Sequence, residues 1–144
     1  MVLSLIDIEP LKLNWGRVWQ SGMIASEDWD NQGLIVSMSG NENWQPPCLW
    51  VDIPDNDVYV LPDPMLLAFT DAILSFLRQK KDVLIHCNEG KYRSTYMDVA
   101  VHMRAGMNYL SALLLIKKNH PIATLRTGTS DQLQAMESVL KEAI

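Results

Sequence analysis

Within HCNEGKYRS, His86 to Ser94, the chain sets a thiol, a glycine, a guanidinium and a hydroxyl in one short run. The apolar residues Val83-Leu84-Ile85 precede it, and a helical pattern follows. A strand that enters a glycine-bearing loop and leaves as a helix makes an anion site, because successive backbone N–H groups turn inward and the helix N-terminus adds partial positive charge. Gly90 lets the backbone turn tightly. The same field favours a thiolate at Cys87. Arg93 follows Cys87 by six residues, and its planar fork can grip two oxygens of a tetrahedral anion. The chemistry implied is a nucleophile at the bottom of a phosphate cradle with a fixed cation beside it.

The flanking elements have to aim these groups. Arg17 to Gln20 reads as a short strand, Gly33 to Met38 as a buried strand and Cys48 to Ile53 as a third. Ser26 is placed to cap a short helix, Glu27 to Asn31. Asp63 as N-cap and Pro64 at the first helical position open a long helix, with Met65, Phe69, Ile73, Phe76 and Leu77 on one face. Asp82 to His86 is the predicted central strand. A helix over about Ser94 to Ala105 ends at Gly106, and Asn108 caps the next, which stops before Pro121. Thr129 and Gln132 form a capping-box pattern that opens the last helix, with Leu133, Met136 and Leu140 inward. The alternation predicts an α/β fold: a central, mostly parallel sheet of four to five strands flanked by helices, with the cysteine loop between the central strand and a helix.

The 144 residues suit one domain, 1–144, with a substantial core. With 48% hydrophobic and 20% charged residues, the composition is that of a globular protein, and the net charge of -5 argues against nucleic acid or an acidic membrane as partner. No stretch reaches the roughly 20 apolar residues of a membrane helix, and the early acids Asp7 and Glu9 are unlike a signal peptide. Two cysteines make neither a disulfide framework nor a zinc site, so a reducing, cytoplasmic setting is expected; a monomer is expected as well.

HCNEGKYRS resembles the His-Cys-x5-Arg-Ser/Thr signature of the protein tyrosine and dual-specificity phosphatases, matched at His86, Cys87, Gly90, Arg93 and Ser94. GRVWQSGMIASEDW resembles that family's opening strand and turn, GLIVSM its second strand, and LWVDIPDND the segment carrying its general acid. The resemblance implies hydrolysis of phosphotyrosine and phosphoserine/threonine through a phosphocysteine at Cys87, with no metal or other cofactor. It implies that Arg93 and the amides of Asn88, Glu89, Gly90, Lys91, Tyr92 and Arg93 bind the phosphoryl oxygens. Ser94 would assist the departing sulfur, with the helix N-cap as its other reading, and His86 would support the loop from behind. Lys91 and Tyr92 are read as rim residues, and Glu89 as one that tunes the substrate.

The leaving group also needs a proton, and a carboxylic acid on a nearby loop can supply it. Asp55 and Asp57 lie 32 and 30 residues before Cys87. Pro54-Asp55-Asn56-Asp57 fits the family's Pro-x-x-Asp pattern with Asp57 as acid, and Asp55 is the alternative. LRTGTSDQ resembles a late family segment in which Arg126 supports the loop or pocket wall; its plainer reading is a surface charge before a capped helix. Cys48 is read as inert, with a protective disulfide to Cys87 as the other possibility. Neither His102 nor His120 is read as a ligand, one facing solvent and the other ending a helix. The five tryptophans are read as core and loop anchors. Two other functions compete: a rhodanese-like sulfurtransferase, which also uses a cysteine loop after a strand, and a catalytically silent phospho-binding module.

Overall fold

Among the described residues, five short strands form one sheet in the order β1 (Leu3–Ile6), β2 (Val18–Ser21), β5 (Val83–His86), β3 (Leu34–Ser37), β4 (Cys48–Trp50). The structure is a computed structural model that describes residues 3–6, 14–22, 33–39 and 47–142. Four strands run parallel, and β1 joins the edge antiparallel to β2. The sequence reading contains no strand at Leu3–Ile6, although LSLI is a short apolar run. The expected helix at Glu27 to Asn31 lies outside the described residues, as do Trp29 and Trp44.

The central position of β5 follows from its composition. Val83, Leu84 and Ile85 are fully buried, as a strand covered on both faces must be. His86 stands in register with Ser21 of β2 and Ser37 of β3. Cys87 therefore leaves the sheet at the carboxyl end of its middle strand. Chain order reverses there, and open α/β sheets bind their ligands at that point.

The helices among the described residues are α1 (Asp63–Arg78), α2 (Arg93–Arg104), α3 (Tyr109–Asn119), α4 (Thr127–Ala135) and α5 (Glu137–Lys141). In α1 the inward stripe is Leu66, Thr70, Ile73, Leu74 and Leu77. Met65, expected inside, is 45% exposed, and Phe69 and Phe76 are half-buried. The stripe is rotated because Leu66 and Leu74 sit together on it, four-residue spacings apart through Thr70. Each such fully buried Leu or Ile contributes roughly 1.5–3 kcal/mol relative to exposure. The helix also begins one residue earlier than expected: Pro62 is its N-cap and Asp63 its first residue.

Gly106, at φ 115°, ends α2 in the left-handed conformation. Asn108 is the N-cap residue of α3, but its side chain makes no capping bond. Glu137 caps that helix from a distance, accepting from Tyr109 N–H at 2.7 Å. The predicted last helix is divided at Met136 into α4 and α5, while Leu133, Met136 and Leu140 do face inward. No helix among the described residues is long and apolar enough to cross a membrane.

The two cysteines are too far apart to be bridged. Ile35 is opposite both Cys48 and Leu84, which puts Cys48 two strands from β5 and three residues short of Cys87. Strand spacing and rise make that roughly 14 Å, about twice the reach of a disulfide.

Candidate active site

Residues 87–92 form a loop fastened from beneath. Gly90 has φ 70°, a conformation that L side chains rarely adopt. A Cβ at Gly90 would lie 2.5 Å from Gly22 N and 2.6 Å from Ser21 C, so the loop packs directly on the backbone that follows β2. Gly90→Ala should therefore lower stability by about 3 kcal/mol or more, combining backbone strain with an overlap that no side chain can relieve. Urea unfolding measures it, and a change under about 0.5 kcal/mol would show that the loop does not hold this conformation.

The carbonyl oxygen of Gly90 accepts from Gln20 Nε2 at 3.3 Å and from His120 Nε2 at 2.7 Å. A carbonyl can only accept, so the His120 ring carries its proton on that nitrogen. Gln20 Nε2 also lies 3.1 Å from Ser94 Oγ and 2.8 Å from Thr95 Oγ1. Thr95 Oγ1 in turn donates to Lys91 O at 2.8 Å. Gln20 and His120 thus brace the loop from β2 and from the end of α3. His120 is buried; it ends a helix as expected, but it also holds the loop. His102 does not face solvent. It is buried, with Nδ1 2.8 Å from Asp98 O and 3.0 Å from Asp98 Oδ1.

Cys87 Sγ is 3.4 Å from Ser94 Oγ, so Ser94 faces the sulfur, and the N-cap position of α2 belongs to Tyr92. Cys87 is 2% exposed and Ser94 is fully buried. His86 is fully buried at the end of β5, next to Cys87. Arg93 Nη1 donates to Ile53 O at 3.2 Å. Arg93 Nε is shut off from solvent and has no acceptor among the described residues, an unusual condition for a buried donor. Asn88 and Glu89 are exposed, and Lys91 and Tyr92 are half-buried at the rim. Beside this rim opens a cleft of about 750 Å³, whose walls include Glu89, Lys91, Lys117 and Ile122.

The carboxylates come from the segment after β4. Asn56 Oδ1 accepts from Val58 N–H at 3.1 Å and Tyr59 N–H at 2.8 Å, which makes an Asx-type turn. Asp55 and Asp57 both point to Arg126: Oδ1 of Asp55 is 2.9 Å from Nε, and Oδ1 of Asp57 is 2.8 Å from Nη1. The Asp55 side chain is 33% exposed and lines a small cavity with Ile53, Arg93, Tyr96 and Arg126. The Asp57 side chain is 72% exposed. Arg126 is accordingly no isolated surface charge. Its guanidinium carbon sits 3.9 Å from the centre of the Tyr92 ring.

Gln132 is not a capping-box partner. Its Nε2 donates to Leu61 O at 2.7 Å and Asp63 Oδ1 at 2.9 Å, and its Oε1 accepts from the Tyr96 hydroxyl. That hydroxyl accepts from Leu61 N–H at 3.1 Å. Burial, above all, pushes the Tyr96 phenol well above its ordinary range and keeps it protonated as a donor. Gln20 reads only as part of a strand, His120 as a helix end and Gln132 as a capping-box partner, and their bracing contacts escape the sequence reading because each spans 30 or more positions of chain. Nothing in their local spacing signals it.

No family model matches the chain. Dual specificity protein phosphatase 1 of Arabidopsis thaliana is 33% identical over 99 residues, 61% of this chain. The match spans only half the length of that relative. Human DUSP28 superposes with a TM-score of 0.78 at 22% identity, over 97% of this chain and all of that one. Tk-PTP in its active form gives 0.73 at 25% identity, over 98% of both chains. With HCNEGKYRS at the junction of the central strand and α2, the chain is similar in sequence and in fold to dual-specificity members of the cysteine-dependent protein tyrosine phosphatases.

Proposed function

We propose that this chain is a single catalytic domain that hydrolyses phosphomonoesters, phosphotyrosine and phosphoserine/threonine among them, through a phosphocysteine intermediate. The observation that carries the reading is Arg93: a guanidinium with a buried, unmatched N–H, six residues beyond a thiol in contact with Ser94. Such a donor is suited to an oxyanion.

In the first step the Cys87 sulfur attacks phosphorus and the P–O bond to the leaving group breaks. Asp57 gives its proton to the departing oxygen. Arg93 exchanges its bond to Ile53 O for phosphoryl oxygens, and the amides of residues 88–93 take up the remaining charge. In the second step Asp57 takes a proton from water, the water oxygen attacks phosphorus, and the P–S bond breaks. The Ser94 hydroxyl, 3.4 Å from the sulfur, donates to the thiolate as it leaves. The near-complete burial of Cys87 fits a cradle no wider than the phosphoryl group. With only two cysteines in the sequence, we propose a reducing, cytoplasmic setting and a monomer acting on phosphoproteins.

The test is hydrolysis of phosphotyrosine and phosphothreonine peptides beside thiosulfate sulfur transfer. Phosphate release without sulfur transfer is expected; the reverse result would favour the rhodanese-like reading. Asp57→Asn should cut turnover by roughly 10² or more while phosphate or vanadate still binds, since general acid catalysis is worth about that much. If Asp55→Asn has that effect and Asp57→Asn does not, the acid is Asp55.

A further inference from the structure

We propose that Arg126 is the positioning residue of the proton-transfer step, the group that holds the carboxylate loop in register with the nucleophile loop. The inference rests on the phosphoryl-transfer reading above and extends it to a residue outside the signature. One guanidinium meets three partners on two loops: Asp55 at 2.9 Å, Asp57 at 2.8 Å and the Tyr92 ring at 3.9 Å. Tyr92 is the immediate neighbour of Arg93, so the chain that would grip phosphate and the chain that would supply the proton share this contact.

The mount beneath Arg126 is rigid. Arg126 is the N-cap residue of α4, and its carbonyl oxygen accepts from Ser130 N–H at 2.9 Å and Thr129 Oγ1 at 3.0 Å. Two residues on, Gly128 N–H donates to Asp57 O at 2.8 Å. A Cβ on Gly128 would lie 2.9 Å from the carbonyl oxygens of both Asp57 and Val58. The carboxylate loop is therefore seated on α4 by main chain as well as side chain.

Only a planar fork can serve two carboxylates and an aromatic face at once. The two aspartates hold Arg126 more firmly charged than usual, first through the hydrogen bond to Asp55 and then through that to Asp57. Ion pairs this exposed add little to stability; what they fix is geometry. Asp55, the less exposed of the two and a neighbour of Arg93 in the cavity wall, is the anchor. Asp57 is the half that leaves the guanidinium to meet the leaving group.

The experiment compares two substrates. Phenyl phosphate has a poor leaving group that needs the proton, whereas a difluorinated coumarin phosphate departs as a stable anion and does not. Arg126→Ala should lower kcat/KM, which reports the first step and not the hydrolysis common to both esters, by about tenfold or more on phenyl phosphate and by less than about threefold on the coumarin ester, with vanadate affinity unchanged. Arg126→Lys keeps a cation without the fork and should show the same substrate dependence, to a smaller degree. Arg104→Ala is the control: that guanidinium also bridges, to Asp71 at 2.8 Å and Val139 O at 3.0 Å, but far from the loops. It should leave the ratio of the two rates unchanged. Equal losses of kcat/KM on both substrates in the Arg126 variants, or no loss, would overturn the proposal. Failure of the unaltered protein to hydrolyse either ester would instead overturn the phosphatase reading itself.

Discussion

Cys87→Ser should abolish turnover, by a factor on the order of 10⁴ or more, while leaving the fold and anion binding in place. The expectation follows from the surroundings of position 87. A serine hydroxyl is a far weaker acid than a thiol, and the nearest polar partner of the sulfur is Ser94 Oγ at 3.4 Å, itself a hydroxyl and no base. Any phosphoserine formed would also lack the good leaving group of the second step. The substitution is nearly isosteric, and the braces on the loop are made by Gln20, His120 and Thr95, not by Cys87. Calorimetric titration with vanadate should therefore still give binding. Residual hydrolysis within about tenfold of the unaltered protein would show that sulfur is not the nucleophile.

Arg93→Lys is the second large effect, expected to reduce kcat by about 10³-fold with charge conserved. Lysine carries the same charge as a point on a flexible stem, but it cannot offer two parallel N–H groups to two oxygens. The buried Nε of Arg93 is the particular loss, since lysine places no donor there. Because the interaction strengthens as charge spreads over the phosphoryl oxygens, kcat should fall by more than KM rises. A lysine variant with near-normal kcat would mean that net positive charge suffices and the fork does not matter.

What the sequence made legible follows from how far apart the interacting residues lie. HCNEGKYRS carries its meaning within one turn of chain, and the buried run Gly33 to Met38 announces β3 by composition alone. The parallel sheet and the central place of β5 were readable from the alternation of elements. Other features had plausible local explanations that long-range contacts displaced. Thr129 and Gln132 have capping-box spacing, yet Gln132 reaches Leu61 and Asp63. Asp63 resembles an N-cap before Pro64, yet Pro62 occupies that position. Arg126 looked like a charge ahead of a helix, and its partners Asp55 and Asp57 are about seventy residues away. The inward face of α1 was misplaced because Met65 and Leu66 are equally apolar, and only the neighbouring surfaces decide between them.

The double clasp on the Gly90 oxygen has one more effect. A trans peptide carries its oxygen and its hydrogen on opposite edges, so drawing that oxygen toward Gln20 and His120 turns the Lys91 amide hydrogen the other way. Rotating this one unit would forfeit two buried bonds, at about 1–3 kcal/mol for an acceptor left unsatisfied. Two side chains remote in sequence thereby settle the polarity of the turn before any ligand arrives.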